Sequence, residues 1–445
     1  MLLLESFSSI LGAIITPAVL LLSSIGVSSE ISIPKILRPR YFVKSLTDLP
    51  SAASTSPLRA LTVALAGTLG VGNITGVASA LICGGPGAIL WMWVGALVVL
   101  GAKYAEVSLA VSFRQKKDGK YFGGAMYYIR DGLRDKLGSK ASAIFGGVFA
   151  MLCCINSLIT GNIVQSNAAS CIFPSKYRIY CGVFLGICVT LSLIYGARKV
   201  EKITSSLIPV LTAVYIILSV SIVMSNIEYL PKIIGGIFSA AFSKNAIIGG
   251  AAGFSAREAI RFGVMRGIFS NEAGCGTSPI AHASADTKSP HHQACYGIFE
   301  VIFDTIILCT MTAFVLLIAD SKFGIIPWHS EADASPVTLS AFDMLGGSIT
   351  YYLLCICVVL FAFATIIAQI YYGVISIGYL TSRKIPQIIY FALSAACAVL
   401  GSVISSPVMW LSADLIIGIM TAVNCTVIIL LRSRLKEQRL MQLPR

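Results

Sequence analysis

The sequence predicts an all-α polytopic membrane protein of about 11 transmembrane helices, a first helix followed by two blocks of five in opposite membrane orientation. Three observations predict it. Of the 445 residues, 56% are hydrophobic and only 12% are charged, with a mean hydropathy of +0.84. A soluble chain of this length needs far more charge to cover its surface. Apolar runs of about 18 residues or more alternate with short basic loops, as transmembrane helices do. Two of those runs, at matching places in the two halves, are interrupted by glycines and small polar residues.

At about 20 residues per crossing, the spans fall at 8–28, 58–82, 87–112, 141–169, 179–197, 203–225, 246–279 (interrupted), 294–319, 343–380, 386–405 and 408–431. The opening MLLLESF has neither a basic start nor a small-residue cleavage site close behind it, so the first span is expected to stay. One set of loops receives Lys35, Arg38, Arg40, Lys44, the eight basic residues from Arg114 to Lys140, Arg198, Lys199, Lys202, Lys288, Arg383, Lys384 and the five from Arg432 to Arg445, 23 in all. The other set receives 5: Lys176, Arg178, Lys232, Lys244 and Lys322. Basic loops stay cytoplasmic, so the N-terminus is expected outside and the C-terminus inside, in the inner (plasma) membrane. The net charge of +13 is thereby a matter of topology and calls for no nucleic-acid partner.

The organisation follows from these spans. Residues 1–54 form a peripheral first helix and a cytoplasmic loop, 55–225 and 246–432 the two five-helix blocks, 226–245 an outer interfacial segment, and 433–445 a basic cytoplasmic tail. Five is odd, so the second block runs inverted relative to the first. The loop at 113–140 is basic, and its YFGGAMYYI suits either the membrane interface or a solvated loop. LPKIIGGIFSAAF at 230–242 is an amphipathic candidate on the outer side. Most of the 13 cysteines lie in apolar spans and read as small hydrophobes. Cys171 and Cys181 flank a short outer loop and are the one candidate pair.

The two interruptions are GTLGVGNITG (67–76) and GIFSNEAGCGTSP (267–279). Unwound backbone is tolerated at membrane depth only where it is buried in protein or lines a cavity. Breaking a helix there creates a new N-terminus, whose N–H groups bind a carboxylate, and a new C-terminus, whose carbonyls bind a cation. An amino acid carries both charges. Thr68, Asn73 and Thr75 add neutral donors and acceptors, cheaper at that depth than a fixed charge. Close helix packing is the plainer use of glycine, but it does not call for two breaks at matched positions.

At these residues the sequence resembles the alanine/glycine:cation symporter family. GTLGVGNITGVASALICGGPGAILWMWVGALVVLGAKYAEVSLAV is similar to that family's G-x-G-N-I-x-G-V-A, G-G-P-G-A, W-M-W and K-[FY]-A-E patterns. GGAMYYI resembles its G-G-P-M-Y-Y-I, with Ala125 for proline, and RGIFSNEAGCGTSPIAHA resembles its R-G-x-F-S-N-E-A-G-x-G-S-x-P-I-A-H-A. GNIVQSN, FDTIILCTMTA and FAFATIIAQIYYG match as well. The resemblance covers nearly the whole chain. It implies a leucine-transporter-type 5+5 inverted repeat with one extra helix. It also implies Na⁺-coupled (in some members H⁺-coupled) uptake of alanine, D-alanine, glycine or a similar small amino acid. Carried onto this sequence, it implies that Gly70, Gly72, Asn73 and Gly76 form the first unwound segment, with the N–H groups from Asn73 to Gly76 on the substrate carboxylate. Ser270, Asn271 and Gly274 belong to the second break, and Asn162 and Gln165 face the cavity. Carbonyls near Gly70 and the Thr365 hydroxyl form a sodium site.

Two departures bear on specificity. The family pattern has Ser-Thr where this chain has Ala364–Thr365, which removes one hydroxyl from the ion site. It has tryptophan where this chain has Gln369, so the pocket is expected to take a larger or more polar amino acid such as serine or glutamine. Glu106 is expected to pair with Lys103 at i, i+3, and Glu272 with Arg266 or Arg261. Asp304 and Asp414 read as hydrogen-bonded acids within helices. Proton coupling through Glu106 or Glu272 is the rival within transport. An ion channel is the rival outside it, but two unlike breaks in an internal repeat do not make a ring of like groups. No hydrolase or kinase motif is present, so an enzyme is not expected. The oligomeric state is left open, a monomer being sufficient.

Overall fold

The computed structural model describes residues 2–47, 56–194, 197–242, 256–287, 289–330 and 332–435. Lipid offers no partner to a backbone N–H or carbonyl, so each apolar run closes its hydrogen bonds internally as a helix. Among the described residues eight helices are long and apolar enough to cross a membrane, or nine with the bent pair Pro57–Thr68 and Val71–Gly84 as one span. Arg178–Ile194, at 17 residues, stands at the lower limit for a crossing. Ala256–Asn271 carries Arg257, Glu258, Arg261 and Arg266 and is too polar to qualify by composition. The start of its expected span, 246–255, lies outside the described residues, as does the tail from 436.

Polar residues at helix starts fix where the spans begin. Ser56 caps Pro57–Thr68 by accepting from Arg59 N at 3.2 Å, and Ser289 caps Pro290–Val301 by accepting from His292 N at 3.1 Å. In both, proline follows at the first helical position, where its missing N–H costs nothing. The helix Gly87–Ser112 lies at the centre, packed on Ala256–Asn271 and Pro290–Val301, and it buries Lys103 and Glu106 completely. The first helix runs along Gly87–Ser112 and Ser406–Leu430. Gly101 permits that approach, because a Cβ there would lie 3.0 Å from the Ser24 carbonyl. Among the described residues three helices contain wide π-turns, Leu11–Ile15, Ser157–Ile163 and Ile302–Cys309. The last two carry Asn162 and Asp304, in keeping with the tendency of such turns to mark functional places.

The 113–140 segment differs from both expectations. Gln115–Lys117 and Lys120–Phe122 form a hairpin about Asp118 (φ 51°) and Gly119 (φ 75°), the Asp-Gly turn that matches strand twist. The following helix, Ala125–Gly132, buries Ala125, Met126, Tyr127, Tyr128 and Ile129 against Ser139–Asn156. It is part of the core, not a surface strip. The 230–242 segment is an amphipathic helix as expected, Leu230–Phe242, burying Ile233, Ile237 and Ala241 at four-residue spacing. Cys171 and Cys181 are both free thiols.

Candidate functional site

The first break begins where Leu69 (ψ 71°) and Gly70 (φ −119°, ψ −150°) leave the helix. A 3-10 turn, Val71–Asn73, follows, and the helix resumes at Thr75 with a bend of 58°. Glycine at position 70 lets both Gln165 and Thr365 come close, because a Cβ there would lie 2.6 Å from Gln165 Oε1 and from Thr365 Oγ1 and would displace them. Val71 N donates to Gln165 Oε1 at 3.1 Å. Gly70, Gln165 and Thr365 are thus brought together. The Thr68 hydroxyl turns back to its own helix, onto Ala64 O (3.2 Å), and that of Thr75 onto Val71 O in the 3-10 turn (2.8 Å). Gly72 lies under Phe269: its absent Cβ would stand 3.1 Å from that ring and 3.3 Å from Ser270 Cα, with Gly76 next along the ring.

The second break follows Asn271, where Glu272 (φ 50°), Gly274 (φ 77°) and Gly276 (φ 83°) take left-handed backbone. The helix resumes at Pro279. Ser270 meets the first break directly, since Asn73 Nδ2 donates to its Oγ at 3.0 Å. Asn271 Nδ2 donates to Thr305 Oγ1 at 2.9 Å. Gly274 is not brought to this cluster. It faces Leu20, Cys425 and Thr421, and its carbonyl accepts from Asn424 Nδ2 at 2.9 Å.

Both breaks converge on Asp304, which is fully buried. Its Oδ1 accepts from Asn73 Nδ2 (2.7 Å), and its Oδ2 from Ser270 Oγ (2.7 Å) and Thr305 Oγ1 (2.8 Å). The expectation of a hydrogen-bonded acid holds, but the groups it binds are those of the two breaks. Its role is absent from the sequence reading, although an aspartate within the apolar run 294–319 is a functional suspect by default.

Gln369 joins the breaks from the opposite side. Its Nε2 donates to Gly67 O at 3.3 Å and to Glu272 Oε1. Gly161 makes room for it, and the neighbouring Asn162 is held by Ser157 O at 2.9 Å. Four buried side-chain oxygens of these site residues have no hydrogen-bond partner among the described residues: Asn73 Oδ1, Asn162 Oδ1, Thr365 Oγ1 and Gln369 Oε1. Buried acceptors are ordinarily satisfied, so each of these oxygens calls for a water, an ion or a ligand beside it.

One expected ion pair is present and one is replaced. Glu272 pairs with neither arginine; it accepts from Thr277 Oγ1 at 2.7 Å and from Gln369. Its turn in the left-handed region points it across to Gln369, while Arg266 is taken by Asp414 at 2.6 and 3.1 Å. Lys103 pairs with Glu106 at 3.9 Å as expected, and has a second, closer partner in Glu300 at 3.1 Å. Glu106 Oε2 also accepts from Gly276 N in the second break (3.1 Å) and from Asn424 Nδ2 on the last helix (3.0 Å).

Against known families, the sodium:alanine symporter family profile matches residues 3–440. The chain belongs to that family. It is 36% identical over 391 residues to the sodium/alanine symporter AgcS of Methanococcus maripaludis, covering 86% of this chain and 83% of that one. It is 35% identical over 386 residues to the probable sodium/glutamine symporter GlnT of Bacillus subtilis (86% and 77%). It is 32% identical over 435 residues to the putative sodium/proton-dependent alanine carrier YrbD of the same species (94% and 87%). The protein is therefore an amino-acid:cation symporter with many membrane-embedded helices.

The symporter has a cavity of about 220 Å³ on one side of its breaks, between Ser79, Cys83, Arg261, Phe262, Trp410 and Leu411, reaching Arg266 and Asp414. There the Arg266 guanidinium pairs with Asp414 and lies 4.0 Å from the centre of the Trp410 ring. Trp410 meets Phe269 edge to face at 5.1 Å, and Phe269 covers Gly72. A chain of contacts thus runs from the pair at the cavity through Trp410 and Phe269 to Gly72 in the first break. Arg266→Ala leaves Asp414 buried without its cation, and is expected to destabilise the fold by about 3–5 kcal/mol. Thermal unfolding in detergent measures this, and an unchanged midpoint contradicts it.

Proposed function

We propose that the symporter imports a small neutral amino acid, alanine or glycine, together with Na⁺ by alternating access. The orphaned oxygens where the two broken spans meet carry this reading. The amide N–H groups from Asn73 to Gly76 hold the substrate carboxylate at the start of the resumed helix. Asn73 Oδ1 and Asp304, with Ser270, form the acceptor side of the pocket for its ammonium. Thr365 Oγ1 and the backbone at Gly70 hold Na⁺, a hard cation that takes oxygen ligands. That the Thr365 hydroxyl is buried, unpartnered and beside Gly70 supports this placement, with Ala364 leaving it one hydroxyl short.

Residues 55–225 and 246–432 act as the two inverted halves and make up ten of eleven crossings. The N-terminus lies outside and the C-terminus in the cytoplasm. The cavity above Arg266 and Asp414 is then the outer entrance, and opening it requires parting that pair from Trp410. Substrate and ion binding together favour the state in which both halves close on them. The name of the AgcS relative supports sodium and alanine. Gln369 and the name of the GlnT relative favour a second reading, a more polar substrate such as serine or glutamine.

Labelled alanine uptake into proteoliposomes, with unlabelled glycine, D-alanine, serine and glutamine as competitors, tests the substrate. Uptake blocked best by alanine and glycine is expected, whereas no alanine uptake with retained glutamine binding contradicts it. In Gln369→Trp a bulkier apolar wall should raise preference for glycine and alanine over glutamine by about tenfold, the scale of a shape change in an apolar pocket. An unchanged competition profile removes Gln369 from the pocket.

A further inference from the structure

A broken helix leaves carbonyls and partial negative charge at the end of its first half. The two broken spans meet that charge differently. Around the first break, the buried oxygens Thr365 Oγ1 and Asn73 Oδ1 have no hydrogen-bond partner among the described residues. At the second, the protein supplies a cation of its own. Lys103 Nζ donates to the carbonyl of Asn271, the last residue of Ala256–Asn271, at 3.1 Å. It donates also to Ser278 Oγ, just before the helix resumes, at 2.5 Å. Its counterion is Glu300, with Oε1 at 3.1 Å, whose other oxygen lies 2.8 Å from His282 Nε2. Lys103, Glu300 and His282 are all fully buried. A lysine needed only to neutralise Glu300 has no reason to bridge the two ends of the break.

We propose that Lys103 is a positioning residue, the resident cation of the second broken span, whose ammonium stands where a transported cation would otherwise bind and so confines the coupling ion to the first break. The choice of sodium as that ion rests on the function proposed above; the role of Lys103 does not.

The test compares sodium activation of alanine uptake in proteoliposomes for the unaltered protein, Lys103→Met and the double variant Lys103→Met/Glu300→Gln, with the charge moved per alanine read from the reversal potential. The unaltered protein should show a hyperbolic sodium curve and one charge per alanine; two charges overturn the proposal. Lys103→Met should lose uptake at low sodium by at least about tenfold, the scale of a lost charge-assisted hydrogen bond. Its curve should become sigmoid as a second sodium enters the vacated place. A drop by one constant factor at every sodium concentration overturns the proposal. The double variant removes the Glu300 charge that the single one leaves unpaired, keeps Glu106 on its Gly276 and Asn424 donors, and so guards against misfolding of the single one. It should keep the defect, because the Asn271 carbonyl still lacks its cation; recovery of the unaltered curve means that Lys103 is only the counterion of Glu300 and overturns the proposal. Uptake indifferent to sodium but driven by a pH gradient refutes the ion assignment alone, and the charge count per alanine still decides the role of Lys103.

Discussion

Uptake of labelled amino acid is expected to fall at least about 100-fold in Gly72→Leu, the scale of a misplacement of about 1 Å at a reacting or binding centre. The cause is local. Even a Cβ at position 72 would stand 3.1 Å from the Phe269 ring and 3.3 Å from the Ser270 backbone. Leucine adds three more carbons in that direction. Phe269 has some freedom to turn, but it is braced by Trp410, and the Ser270 backbone belongs to the other broken span. The substitution therefore pushes the two breaks apart at the place where Asn73 reaches Ser270. Insertion should be unaffected, because the change makes an apolar span more apolar. The measurement pairs uptake with the amount of protein in the membrane fraction. Normal uptake at normal abundance removes Gly72 from the site.

Asp304→Asn is expected to cost as much, by a different route. The aspartate accepts from three donors, on Asn73, Ser270 and Thr305. Asparagine keeps the shape but turns one acceptor into a donor, so a donor faces a donor. It also removes the negative charge that the ammonium side of the pocket relies on. Uptake should fall by at least about 100-fold, since hydrogen bonds to charged groups contribute about 1.5–3 kcal/mol each and more than one is affected. Global stability should change little, because a buried carboxylate is itself costly to keep out of water. Uptake and the thermal midpoint in detergent are measured on one preparation. Uptake within twofold of the unaltered protein contradicts the assignment, and lost uptake with a midpoint fallen in step marks a structural role instead.

The breaks were legible in the sequence because glycine at membrane depth has few other uses when Asn and Ser accompany it. Asn73 with Ser270, and Gly70 with Gln165 and Thr365, do come together. The ion pairs were legible only in part, Lys103–Glu106 being present. Helical spacing places Lys103 beside Glu106, but spacing along one helix says nothing of Glu300 on another, which lies nearer. The left-handed turn at Glu272 sent that carboxylate to Gln369, and no residue pattern announces a positive φ at a glutamate. The same reason explains Asp304: the π-turn that carries it sets its direction, and nothing in FDTIILC spells a π-turn. The hairpin after Phe113 was missed although Asp118–Gly119 between short polar strands signals one. The buried helix behind it was hidden by its basic flanks.

Labelled alanine accumulation in proteoliposomes, at fixed pH, with an inward sodium gradient and then with equal sodium on both sides, tests the account most directly. The account predicts accumulation above the external concentration only while the gradient stands. Accumulation that ignores the sodium gradient and follows a pH gradient instead contradicts the sodium site at Gly70 and Thr365, and turns attention to the buried carboxylates of Glu106 and Glu272.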